Sequence, residues 1–285
     1  MTQASRSTRT WLITGAGRGL GRAFAQTALE QGYNVVGTVR RPGAMADLQA
    51  DHPDSVQEVL LDVRDAAAIP TAINVAAQAF GGIDIVVNNA GGGIVGAIEE
   101  LDEQGAREHL DLNLLGAMWV CQAAIPHLRA RGGGDIVQIS TVGAIGAMPM
   151  FGLYNAGKWA LEGFSEALSA EVAQFDIRVT IAQLGGFATD WAGSSMSFAT
   201  PKQEYDDLRK TTFGTAEIPW PTADPDASTD ADPRKAAEAL VAHLSVTNHR
   251  PLRVLIGDDA REHATLAYAG RRESYGVTRN FNWPS

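Results

Sequence analysis

The sequence predicts an α/β fold, a doubly wound parallel sheet of about seven strands with helices on both faces. Three observations predict it. Apolar runs alternate along the chain with helical stretches, the order expected of parallel strands buried on both sides. A glycine-rich turn joins the first run to the first helix. The polar motifs capable of chemistry mostly follow apolar runs directly, so a parallel sheet would gather them beyond the carboxyl ends of its strands, where such folds bind ligands.

Each element can be justified in order. The first run, Trp11–Ile13, sits within Thr10 to Thr14 and leads into Gly15-Ala16-Gly17-Arg18-Gly19-Leu20-Gly21, after which an amphipathic helix runs to about Gly32. Glycines in such a turn permit positive φ and let the backbone approach a pyrophosphate, and the helix N-terminus offers its unpaired N–H groups to the anion. The spacing fits T-G-x-x-x-G-x-G through Thr14, Gly15, Gly19 and Gly21 rather than G-x-G-x-x-G. The second run is Val35–Val39. Val39 falls about where a carboxylate would hold the ribose 2′-hydroxyl of NAD, and Arg40 and Arg41 follow at once. No acid is there to repel a 2′-phosphate, and Arg18 adds a cation on the same side, so the charges favour NADP(H) over NAD(H).

The third run, Val56–Leu61, precedes Asp62 and Val63; Asp62 is either a ligand-facing carboxylate or the cap of a helix beginning near Asp65. The fourth, Ile83–Val87, precedes Asn88-Asn89-Ala90-Gly91. Asn113 lies in Asn113-Leu114-Leu115-Gly116, and Cys121, the single cysteine, sits in an apolar helical stretch as small core filler. The fifth run, Ile136–Ile139, ends against Ser140. About a dozen residues on comes Tyr154-Asn155-Ala156-Gly157-Lys158. Residues four apart share a helix face, so the ammonium can approach the phenol. A free phenol keeps its proton to about pH 10, and a neighbouring cation favours the phenolate, so Tyr154 is expected to exchange a proton near neutrality. Such a pair suits a carbonyl oxygen that gains a proton as its carbon gains a hydride, or the reverse. The last two runs are Val179–Leu184 and Leu252–Ile256.

In these ordered motifs the chain resembles the short-chain dehydrogenase/reductase family of compact, single-domain type. The resemblance implies a Rossmann-type domain over residues 1–285 and a catalytic set of Asn113, Ser140, Tyr154 and Lys158. It implies cofactor contacts from Gly15, Gly17, Arg18, Gly19, Leu20, Gly21, Arg40, Asp62, Val63, Asn89, Ala90, Gly91, Tyr154, Lys158, Gly185, Phe187 and Thr189. Asp62 and Val63 would take the adenine end, and Asn113 would help hold a water that relays protons from Lys158. Family members commonly pair through two helices, which here hold Ala117 to Leu128 and Ala156 to Ala170, so a homodimer or homotetramer is expected. The family's Pro-Gly-x-x-x-Thr is replaced by Leu184-Gly185-Gly186-Phe187-Ala188-Thr189; losing the proline restores an N–H and frees φ, so a looser or re-angled loop is expected.

Residues of about 190–232 read as a long irregular insertion rich in proline, a lid over the site. Its Trp191, Met196, Phe198, Phe213 and Trp220, with Met148, Met150, Phe151 and Leu153, suggest an apolar pocket for a hydrophobic ketone or secondary alcohol. The formal charge of −10 gives no footprint for nucleic acid. The six histidines lack ligand spacing, so no metal is assigned. No apolar run would span a bilayer and the first ten residues lack a signal core, so a cytoplasmic location is expected. Two alternatives remain at this level. One is a non-catalytic NADP(H) sensor or scaffold; the other is nucleotide-sugar epimerase or dehydratase chemistry.

Overall fold

The computed structural model describes residues 8–189, 191, 193–219 and 231–276. Its strands are β1 (Thr10–Thr14), β2 (Asn34–Val39), β3 (Val56–Leu60), β4 (Ile85–Asn88), β5 (Gly93–Val95), β6 (Gly134–Thr141), β7 (Ile177–Leu184), β8 (Met196–Phe198) and β9 (Arg253–Ile256). Seven of them form one parallel sheet in the order β3-β2-β1-β4-β6-β7-β9, and β5 pairs with β8 in a second, two-stranded sheet. The strand order reverses between β1 and β4, which opens a crevice at the carboxyl edge.

The helices are α1 (Gly19–Glu30), α2 (Ala46–Asp51), α3 (Ile69–Gln78), α4 (Glu103–Leu110), α5 (Gly116–Ala130), α6 (Gly152–Val172), α7 (Asp206–Phe213), α8 (Pro233–Ser245) and α9 (Ala260–Gly276). Alternate strand residues face opposite sides of a sheet. Trp11, Ile13, Val137 and Ile139 accordingly pack with Phe24 of α1 and Leu240 of α8. Leu12, Val86 and Ile136 pack on the other face with Ile73 of α3, Val120 of α5 and Leu168 of α6. Each such buried aliphatic side chain contributes roughly 1.5–3 kcal/mol. Cys121 is buried there and its thiol is pushed up to about 12, chiefly by that burial. No helix among the described residues is long and apolar enough to cross a membrane.

Two expectations change. Asp62 does not cap the helix after β3. Asp65 closes that turn, its Oδ1 accepting from the Ala67 and Ala68 amides at 3.1 and 3.2 Å. The segment after Thr189 is not irregular where it is described: β8 adds to β5, and α7 follows. Long-range pairing built this strand, with the Gly93 amide on the Ser195 carbonyl and the Ala199 amide on the Val95 carbonyl. Trp220, Pro221 and Pro225 lie outside the described residues.

Candidate active site

The crevice is built first from backbone. α1 begins at Arg18 with no side-chain cap and no acid in its first turn, so its leading N–H groups are open to an anion. A Cβ on Gly21 would sit 2.2 Å from the Gly15 carbonyl oxygen, which forces glycine there. Asn89 braces the turn: its Nδ2 donates to the Thr14 carbonyl at 2.9 Å, and the Asn89 and Ala90 amides both donate to Thr14 Oγ1 at 3.0 Å.

α4 runs into α5 through one turn of π-helix, Asp111–Leu115, with Asn113 at its centre. Such bulges re-aim side chains and recur at functional sites. Asn113 is buried, its Oδ1 accepting from the Gly92 amide at 3.2 Å and its Nδ2 donating to the His109 carbonyl at 3.1 Å. A Cβ on Gly91 would lie 2.9 Å from Asn113 Oδ1 and 3.6 Å from Lys158 Nζ, so glycine keeps the space beside these groups clear.

Tyr154 and Lys158 lie one turn apart on α6, both buried. The lysine does not acidify the phenol as the spacing alone suggests. Lys158 Nζ donates to the Ile139 carbonyl at 2.8 Å. Burial pushes the Tyr154 phenol up to about 12, opposed by a hydrogen bond with the Thr141 side chain, and it pushes Lys158 down to about 8, opposed by the charge of Glu162. The cause is an aromatic enclosure. The Tyr154 ring has Trp191 at 5.3 Å, His109 at 6.1 Å and Phe151 at 6.2 Å, and Phe213 packs edge-on against Phe151. Ile94, Val95, Met150 and Met196 complete the cluster, with Leu153 and Phe198 at its margin; Met148 is instead exposed.

The hydroxyl beside Tyr154 is that of Thr141. Ser140 is turned away: it is buried and donates to Glu162 Oε1 at 2.6 Å. Adjacent strand residues point to opposite faces. Ser140 shares the parity of Gln138, which faces Cys121 of α5, so it meets α6 at Glu162, two turns along the helix from Tyr154, whereas Thr141 ends the strand and its Oγ1 caps the following turn through the Gly143 amide at 3.2 Å. Polar residues at alternate strand positions, Gln138 and Ser140, were the available signal that Ser140 points inward.

Known proteins share this fold. The short chain dehydrogenase family matches residues 9–199. The chain belongs to that family. Oxidoreductase BOA17 of Botryotinia fuckeliana is 37% identical over 269 residues, 91% of this chain and 93% of that protein. A 3-ketodihydrosphingosine reductase of Bacteroides thetaiotaomicron is 36% identical over 178 residues, 62% of this chain and 64% of its own length. The crystal structure of a short-chain dehydrogenase from Streptomyces avermitilis has a TM-score of 0.84 at 35% identity, covering 95% of this chain and 96% of that one.

In this short-chain dehydrogenase the remaining candidate residues spread along the carboxyl edge. Asp62 is held by Arg64, whose Nη2 donates at 2.6 Å; that pairing, with Arg40 further off, keeps its carboxyl below the usual range. Arg40 is exposed, following buried Val39. Arg18 is already occupied, donating to Ser194 Oγ and, at 2.7 Å, to Ser195 Oγ, so the cation expected beside Arg40 is tied to the segment before β8. Gly17 and Leu20 lie within the glycine turn, with Leu20 packed on the core below. Thr189 sits over the turn, where a Cβ on Gly19 would be 3.6 Å from its Cβ. The loop that lost the family proline is anchored rather than loose. The Gly185 amide donates to the Ile256 carbonyl at 2.8 Å, the Gly186 amide donates to Asp259 Oδ2 at 3.1 Å, and Phe187 is buried and bridges to Ala231. A side chain at 185 would collide with Asp259, 1.9 Å from the Cβ position.

Proposed function

We propose that this dehydrogenase reduces the carbonyl of a fairly hydrophobic ketone with NADP(H), Tyr154 donating the proton. One observation carries the reading: a buried phenol, hydrogen-bonded to the Thr141 side chain and one helical turn from a buried lysine, packs in an aromatic and aliphatic cluster, in a fold whose glycine turn leads into an uncapped helix N-terminus. When bound, the nicotinamide supplies the hydride.

The residues present fit such a cofactor. The N–H groups of α1 and the glycine turn take its pyrophosphate, Asp62 and Val63 its adenine end, and Ala90, Gly91 and Lys158 the nicotinamide side, with Gly185, Phe187 and Thr189 across from them. Arg40 after Val39 favours the 2′-phosphate. Thr141, in place of the Ser140 that the resemblance put in the catalytic set, donates to the carbonyl oxygen while Tyr154 protonates it. A phenol that keeps its proton at neutral pH suits reduction more than oxidation. Lys158 supplies positive charge behind the phenol, and Asn113 holds the carbonyl side of the relay open to water. Residues 193–213 lay β8 and α7 over the pocket as its cover. The apolar cluster around Tyr154 supports a hydrophobic substrate, and so does the relative named a 3-ketodihydrosphingosine reductase. A homodimer or homotetramer forms through α5 and α6.

The test is oxidation of NADPH and of NADH, followed optically against a panel of apolar and polar ketones. Turnover with apolar ketones, faster with NADPH, is the expected result. Binding of the nucleotide without turnover of any carbonyl would leave a sensor or scaffold as the correct reading.

A further inference from the structure

The proposed chemistry leaves the buried carboxylate beside Lys158 on α6 unused. Glu162 lies on α6 one turn beyond Lys158 and is 6% exposed. Donors from three strands converge on it, two near the carboxyl ends of β6 and β7 and one from the first residue of β9. Ser140 Oγ of β6 donates at 2.6 Å, Gln183 Nε2 of β7 at 3.0 and 2.9 Å to the two oxygens, and Arg253 Nε of β9 at 3.2 Å. Arg253 is itself shared with Glu166 of α6. This is costly architecture for a carboxylate with no role, because removing its charge and burying an apolar side chain of similar size would often be neutral or stabilising.

The surroundings of Lys158 give the carboxylate its use. Tyr154 and Glu162 face it from its own helix, His109 from α4, and the Ile139 carbonyl from β6; Arg253 of β9 and Glu166 lie beyond Glu162. Tyr154 and His109 are neutral near pH 7, and an ammonium removed from water needs a countercharge to persist. Resting on the ketoreductase reading above, we propose that Glu162 is a positioning residue: fixed by donors from three strands, it is the countercharge that keeps Lys158 an ammonium and so sets the alkaline limit of proton transfer at Tyr154. Ser140 then serves the reaction indirectly, by holding Glu162 in place.

The chain has four lysines, Lys158, Lys202, Lys210 and Lys235, so isotope-labelled lysine side chains give one readable NMR titration each. Lys158→Met assigns the Lys158 signal. Glu162→Gln keeps the shape and removes the charge; Lys158 is expected to lose its proton about one pH unit or more below wild type, with the other three lysines unmoved. Arg253→Met removes the competing cation and should move Lys158 upward; it decides the matter if Glu162→Gln does not fold. A folded Glu162→Gln protein whose Lys158 titrates as in wild type, or an Arg253→Met protein whose Lys158 does not rise in the absence of a folded Glu162→Gln, overturns the proposal. The alkaline limb of the ketone-reduction profile should follow the same displacement, whereas a loss of packing alone would lower activity without moving it. The titration needs no turnover, so an inactive wild-type enzyme would refute the ketoreductase reading and leave this measurement to stand or fall separately.

Discussion

At Tyr154, enclosure by Trp191, Phe151 and His109 opposes ionisation, which suits the proton-donor role proposed for it. Tyr154→Phe should therefore keep NADPH affinity and lower kcat by on the order of 10²-fold, as stopped-flow turnover and nucleotide titration would show; near-normal reduction would assign the proton to another group. The two neighbouring hydroxyls should separate cleanly. Thr141→Ala is expected to lower kcat about 10-fold or more, by removing a donor to the carbonyl oxygen. Ser140→Ala should cost about 1–3 kcal/mol of stability and leave kcat within a few-fold, because it takes a donor from buried Glu162. The reverse pattern in paired kinetics and denaturant melts would restore Ser140 to the site. His109 makes a pH prediction. Burial first, and the Lys158 charge second, push its imidazole from the ordinary 6.5 down to about 4. Between those values the unfolded chain binds a proton that the folded chain refuses, so stability falls as pH drops from 6.5 toward 4 and levels off below. The loss is on the order of 3 kcal/mol. His243 is also pushed down by burial, so the His109 share is read as the difference between wild type and His109→Phe in urea unfolding across that range. Parallel curves would show that His109 does not carry it.

Among the elements, the segment holding β8 and α7 is seated in part by a buried ion pair. Arg209 of α7 is fully buried, its Nη1 on Glu100 Oε1 at 2.6 Å and its Nη2 on Asp206 and the Lys202 carbonyl, each at 2.6 Å. Glu100 also accepts from the Ala97 and Lys202 amides at 2.8 and 2.7 Å, which ties the turn after β5 to the turn before α7. Arg209→Met leaves the Glu100 charge buried without its cation, a loss of about 3–5 kcal/mol. The expected outcome is local opening: proteolysis within residues 196–214 at a rate well above wild type, and a raised KM for apolar ketones. Unchanged cleavage would mean that apolar packing on Phe151 and Met196 seats the segment without the pair. Asn113 shows the opposite economy, since a single turn of π-helix places its side chain between Gly92 and His109 without any long-range ion pair.

Over the whole molecule, two apolar layers flank the sheet, α1 and α8 on one face and α3, α5 and α6 on the other. The outer surface of the second layer is itself partly apolar. A groove between α3 and α5 is lined by Ile69, Pro70, Trp119, Ala123 and Pro126, and Trp159 of α6 is 44% exposed. Covering these helices with a second copy would remove that surface from water. Light scattering at micromolar concentration should accordingly give twice or four times the 30.2 kDa of one chain. A particle of single-chain mass would remove the oligomer proposal.

What the sequence determined by itself is what local geometry and short-range pattern encode. Strand positions followed from apolar runs, the glycine turn from its place between strand and helix, and the shared face of Tyr154 and Lys158 from helical spacing. Tertiary structure decided the rest, because the deciding contacts join residues far apart in the chain. Trp191 closes on Tyr154 from 37 positions away, and burial raises the phenol, opposed by the Thr141 side chain. Position along β6 and α6 decides between the two hydroxyls: Ser140 meets Glu162, two turns along α6 from Tyr154, whereas Thr141 at the end of the strand meets Tyr154. Asp259 holds the loop that a proline would have stiffened, and Ser194 and Ser195 engage an arginine that charge pattern alone placed beside Arg40. Each of these outcomes depends on packing and solvent exclusion, which no local spacing in the chain records.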